Sequence, residues 1–123
     1  MGNLTGVTFQ VRVSDFEKGM EWYGVLFNRR PDFIPHEGFA EWELLQDTWI
    51  QLAEGTPAIG NGPIRLGVTD IKAERKRLME ELSIELEEVN TREGVQAAWL
   101  TFEDPDGNLI GLFENLSATG KEF

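Results

Sequence analysis

Asp104-Pro105-Asp106-Gly107-Asn108 leads into Leu109-Ile110-Gly111-Leu112-Phe113-Glu114 near the end of the chain. The first five residues have the chemistry of a tight turn. Proline presets φ, Asp and Asn side chains bond their own backbone, and Gly107 is free to take positive φ. The six that follow read as a strand. Ala97 to Phe102, just upstream, is a second strand-like run, so the two predict a hairpin. A turn of this composition is generic by itself. Its significance comes from a repetition in the rest of the chain.

Val7 to Val13 alternates strictly. Phe9, Val11 and Val13 fall on one face, and Thr8, Gln10 and Arg12 on the other, as in a strand with one dry face. Ser14 and Glu17 fit a capping box and predict a helix start. Phe16, Met20, Tyr23 and Phe27 then recur at helical spacing, and Asn28-Arg29-Arg30-Pro31 ends the helix. Three short strands follow, around Asp32 to Pro35, Phe39 to Leu45 and Trp49 to Ala53. Glu54 to Gly62, rich in glycine and proline, reads as a linker.

The same order then begins again. Ile64, Leu66 and Val68 alternate with Pro63, Arg65 and Gly67. Thr69-Asp70 opens a second helix carrying Ile71, Leu78 and Leu82 on one stripe. Ile84 to Val89 is a weak strand, and Gln96 to Phe102 and Leu109 to Phe113 are better ones. Val68-Thr69-Asp70 lies 55 residues after Val13-Ser14-Asp15. Two similar βαβββ modules, about 5–54 and 62–115, therefore make up one α+β domain over 1–123.

Composition narrows the function. The 123 residues carry 22 acids against 11 Lys plus Arg, a net charge of −11. That balance opposes binding to nucleic acid or an anionic membrane. There is no cysteine, so neither disulfides nor thiolate chemistry are available. No apolar run approaches the ~20 residues that span a bilayer. Met1 to Thr5 lacks the basic and apolar regions of a signal peptide, so a cytoplasmic location is expected.

The repeated module, with Val-Ser-Asp opening the first helix and Asp-Pro-Asp-Gly-Asn before the last strand, resembles the vicinal oxygen chelate superfamily. That superfamily includes glyoxalase I, extradiol dioxygenases, fosfomycin-resistance enzymes and bleomycin-resistance proteins. The resemblance covers nearly the whole chain. It implies two modules curled into an open, barrel-like cup, the glyoxalase/bleomycin-resistance fold, and a homodimer.

It also implies where metal ligands would stand in the enzymes of the superfamily. The position of the usual first histidine, seven residues before the helix-opening aspartate, is Thr8. The second ligand position matches Gln51, the third Pro63 and the fourth Gly111. Proline and glycine side chains offer no donor atom, and a neutral hydroxyl and amide are weak ligands for hard or borderline ions. The chain has one histidine, His36, in a predicted turn. The expectation is no metal and no cofactor.

If the dry face of each strand meets its helix, the opposite face lines the cup. The lining is then Thr8, Gln10, Arg12, Glu41, Glu43, Trp49, Gln51, Arg65, Trp99, Thr101, Gly111 and Phe113. Trp49 and Trp99 either stack on a planar or cationic ligand or serve as ordinary interior and interface packing. Arg12 and Arg65 either hold a carboxylate or phosphate or pair with Glu41 and Glu43. No nucleophile and base stand together, and a glutamate acting as general base cannot be told from a solvated one. The resemblance, less its ligands, implies a bleomycin-resistance-type protein that sequesters or senses a small molecule. A metal-dependent isomerase, lyase or dioxygenase and a structural dimer without ligand are the alternatives.

Overall fold

The computed structural model describes residues 2–3, 5–58 and 63–116. The chain divides into two compact units, Met1–Ile59 and Gly60–Phe123. The first contains β1 (Val7–Val13), α1 (Phe16–Phe27), β2 (Phe33–His36), β3 (Phe39–Leu45) and β4 (Thr48–Glu54). Its four-stranded sheet has the order β1-β4-β3-β2. β1 runs parallel to β4, while β3 pairs antiparallel with both β4 and β2. The second unit contains β5 (Ile64–Gly67), α2 (Ile71–Leu82), β6 (Ala97–Glu103) and β7 (Leu109–Asn115). Its sheet, in the order β5-β7-β6, repeats the first, with a parallel pair joined to an antiparallel one.

The helix ends make the repetition explicit. Asp15 caps α1 by accepting from the Lys18 N–H at 3.1 Å, and Asp70 caps α2 by accepting from the Ala73 N–H at 3.1 Å. Each satisfies one of the amides left open in a first helical turn. Asp15, and not the expected Ser14, is the cap of α1, because Asp15 keeps an extended backbone (φ −125, ψ 102) while the helix begins at Phe16. Both helices stop at a left-handed residue, Asn28 at φ 60 and Ser83 at φ 57. Such residues return the last amides to free carbonyls.

In the first unit the core lies between α1 and one face of the sheet. Val11, Val13, Ala40, Trp42, Ile50 and Leu52 are buried with Phe16, Tyr23 and Leu26 of the helix. Gly19 brings the helix down onto β1: a Cβ there would stand 3.0 Å from Val13 Cγ2. Phe27 meets the Trp42 ring edge-on at 5.3 Å, and the Trp42 indole N–H donates to the Arg29 carbonyl at 3.0 Å. The expected dry face of β1 is only half realised. Val11 and Val13 are covered, but Phe9 is 49% exposed.

The second unit buries Ile71, Leu78, Leu86, Ala98, Leu100, Phe102, Ile110 and Leu112. Ile84 to Val89, expected as a weak strand, forms none; a single bridge joins Asn90 to Trp99. Side chains hold the segment instead. Arg75 donates to the carbonyls of Glu87 at 2.6 Å and Leu86 at 2.7 Å. Glu87 accepts from the Thr101 N–H at 2.9 Å, taking a ladder position on β6.

The turn before β7 is knotted by one buried carboxylate. Asp104 Oδ1 accepts from the backbone N–H groups of Asp106 (2.8 Å) and Asn108 (2.9 Å), and Oδ2 from the Asn108 side-chain amide (2.7 Å). Gly107 takes φ +88, open to glycine at no steric cost. Asp104→Ala leaves these donors without their acceptor and should destabilise the protein by about 2–3 kcal/mol in urea unfolding. Asp104→Asn, which keeps one acceptor oxygen, should cost less.

A second carboxylate ties β2 to β3. Asp32 Oδ2 accepts from the Glu43 backbone N–H at 2.6 Å, and both of its oxygens accept from Arg29 at 2.8 Å. The Glu43 amide first, and the Arg29 guanidinium with it, hold the Asp32 carboxyl below its ordinary value against the opposing effect of burial. A carboxyl with a lowered folded-state pKa stabilises above its unfolded value, and that contribution fades as pH falls through the folded value. The melting-temperature gap between the parent and Asp32→Asn should therefore close below about pH 4.

Candidate functional site

The face of the first sheet turned away from α1 carries the alternate residues of each strand. Thr8, Gln10 and Arg12 come from β1, Trp49 and Gln51 from β4, Glu41 and Glu43 from β3, and Phe33 from β2. Register sets them side by side: Thr8 beside Trp49, Gln10 beside Gln51, Gln51 beside Glu41, and Glu41 beside Phe33. Opposed residues in neighbouring strands share a face within reach of each other.

Four of these side chains form a continuous hydrogen-bonded line. Arg12 Nε donates to Gln10 Oε1 at 2.8 Å. Gln10 Nε2 donates to Gln51 Oε1 at 3.1 Å, and Gln51 Nε2 donates to Glu41 Oε2 at 2.9 Å. The guanidinium only donates and the carboxylate only accepts, so the two ends dictate how both amides are turned. The result is a polarised line running from cation to anion, in which each bond strengthens the next. Of the two arrangements open to Arg12 and Glu41, a direct ion pair is not formed; two amides stand between them.

The aromatic part of the face lies beside the acidic end. Phe33 stacks on Trp49 with centroids 6.0 Å apart and ring planes 23° from parallel. Phe33 belongs to β2 and Trp49 to β4, so the pair spans β3 where Glu41 and Glu43 stand. Phe33 is 58% exposed. Sequence reasoning missed it. The available signal was its phase in β2, opposite Glu41, but that register depends on an irregular β2–β3 pairing. Glu43 plays a different part from Glu41: its carboxylate accepts from the Asp47 N–H at 2.8 Å and closes the β3–β4 turn.

The second sheet presents its own face. Arg65 of β5 lies beside Gly111 of β7, which lies beside Thr101 of β6; Gly67, Phe113 and Trp99 form the adjacent row. The glycines make room for large neighbours. A Cβ on Gly111 would stand 3.2 Å from Arg65 Cγ and Nη1, and one on Gly67 would stand 2.9 Å from Phe113 Cζ. The Arg65 chain thus runs over Gly111, and the Phe113 ring over Gly67.

The donor set does not fit a divalent ion. Thr8 is exposed, Gln51 Oε1 already accepts from Gln10, and Pro63 and Gly111 provide no side-chain donor. His36 is at the end of β2, with Nδ1 2.9 Å from the Glu37 carbonyl oxygen and its ring stacked on Phe39 at 5.3 Å. Among the described residues no three His, Cys, Asp or Glu side chains gather into a metal-holding group.

No family model matches the sequence, and neither does any curated protein. Solved structures do. A glyoxalase/bleomycin resistance protein from Catenulispora acidiphila aligns with TM-score 0.75 and 28% identity, over 90% of this chain and 98% of that one. FosX, a fosfomycin resistance protein from Listeria monocytogenes, aligns with TM-score 0.73 and 17% identity over 99% of both chains. Lactoylglutathione lyase from Agrobacterium tumefaciens aligns with TM-score 0.70 and 16% identity, over 93% of this chain and 96% of that one.

Gln51 is the half-buried centre of the polar line and serves two partners, whereas Gln10 is exposed. Gln51→Ala should cost about 1–2 kcal/mol in urea unfolding, and Gln10→Ala about half of that or less.

Proposed function

Because this chain has the glyoxalase/bleomycin-resistance fold of the vicinal oxygen chelate superfamily, we propose that it binds a small organic molecule without a metal and without transforming it. The binding surface in this reading is the polar and aromatic face of the first sheet. The observation that carries it is the line Arg12–Gln10–Gln51–Glu41 beside the Phe33–Trp49 stack. A binding face needs aromatic area for burial and a few fixed polar groups for selectivity. This face has both, and its amides are already oriented.

A metal-dependent lyase or isomerase is the second reading. It draws on the similarity to FosX and to lactoylglutathione lyase, and on a FosX variant solved with manganese(II). The donor set argues against it. Thr8, Gln51, Pro63 and Gly111 cannot repay the desolvation of a divalent ion.

The test is a thermal-shift screen of cationic, neutral and anionic aromatic compounds, run with EDTA and again with manganese or zinc. A ligand at a hundred times its dissociation constant should add ~2.7 kcal/mol of stability. Its affinity should be the same with and without metal, and Trp49→Ala should weaken it about tenfold, a cost of roughly 1.4 kcal/mol. A ligand that binds only with metal, or that Trp49→Ala leaves untouched, overturns the proposal.

A further inference from the structure

We infer that the Phe33–Glu41–Trp49 corner of the first sheet is a subsite for an organic cation, a quaternary or substituted ammonium group. This names the ligand class within the binding reading above and rests on it. Glu41 is the central observation. Its carboxylate has one hydrogen bond, from the Gln51 amide to Oε2, and no basic partner among the described residues. Other acids do have basic partners: Asp32 pairs with Arg29, Glu88 with Arg75, and Glu74 and Glu81 with Arg77.

Position makes that uncompensated charge useful. Glu41 is opposite Phe33 in the β2–β3 register and opposite Gln51 in the β3–β4 register. Glu43, two residues on along β3, is opposite Trp49, so the Phe33–Trp49 stack, with centroids 6.0 Å apart, joins the strands on either side of the one that bears Glu41. An aromatic ring attracts a cation through its negative face, tryptophan most strongly, and a nearby carboxylate adds a full opposite charge. A tetraalkylammonium needs no hydrogen-bond acceptor and suits this pairing of apolar wall and charge. An anion would meet Glu41 and Glu43 together. The guanidinium of Arg12 enters the line at its far end, two amides from Glu41. The net charge of −11 adds long-range attraction for a cation.

The test compares benzyltrimethylammonium, its neutral isostere neopentylbenzene and the anion benzenesulfonate, by calorimetry and tryptophan fluorescence. The cation should bind at least about ten times more tightly than either analogue. Raising NaCl from about 0.05 to 0.5 M should weaken it several-fold. Glu41→Gln, which keeps an acceptor for Gln51, should lose about tenfold for the cation and nothing for the neutral isostere. Phe33→Leu, at an exposed position, should weaken the cation about threefold or more. Equal binding of cation and isostere, unchanged cation affinity in Glu41→Gln, or no binding of the cation overturns the subsite. If neutral or anionic compounds bind and lose affinity in Trp49→Ala, only the cation assignment falls. If no compound of any charge binds, the small-molecule reading falls with it.

Discussion

The parallel pairing of β1 with β4 sets which side chains stand on the face of the first sheet turned away from α1. Val11 lies opposite Leu52, and both are buried beneath α1. Side chains alternate with a period of two, so this apolar pair forces Gln10 and Arg12 onto the other face, with Gln51 beside them. A slip of one residue would bury the amides and expose the core. The register is therefore held by hydrophobic burial, and the polar line is its consequence. In the second unit the β5–β7 pair does the same work. Leu66 opposite Leu112 brings Arg65 beside Gly111.

Much of this was legible in the sequence. The period-two patterns of Val7 to Val13 and Phe39 to Leu45 gave strands with Val11, Val13, Ala40 and Trp42 on the buried side, because burial on one side of a sheet is read directly as alternation. The 55-residue spacing of Asp15 and Asp70 anticipated two helices capped alike. Asp104 was recognisable as a turn residue, and its carboxylate does tie that turn. These features share one property: each depends on residues close together in the chain.

What was illegible depends on contacts between distant segments. Ser14-x-x-Glu17 looks like a capping box, but the helix starts one residue later and Asp15 takes the role. Ile84 to Val89 had a plausible strand pattern. Its neighbour β6 instead has a ladder amide, that of Thr101, taken by the Glu87 carboxylate, and Arg75 claims two carbonyls of the segment. Phe9 matched Val11 and Val13 in phase and yet stays exposed, because α1 meets β1 at Val13, where Gly19 allows close approach. Trp49 was singled out without its partner. Only the fold of β2 onto β3 brings Phe33 over to it.

The chemical character of the first sheet follows from what occupies its centre. A pair of glutamines between a guanidinium and a carboxylate could in principle be turned several ways. Only one places a donor against every acceptor along the whole line. Turning either amide to offer its oxygen outward would face N–H to N–H or oxygen to oxygen at one junction, at a cost of about 1–3 kcal/mol for each group left unsatisfied. The oxygens of Gln10 and Gln51 are thus engaged within the sheet. Glu41 Oε1 is different: it ends the line with no protein donor among the described residues. Recognition of a positive group at that end requires no amide to turn and no existing bond to break. A divalent ion at the centre of the line would require both.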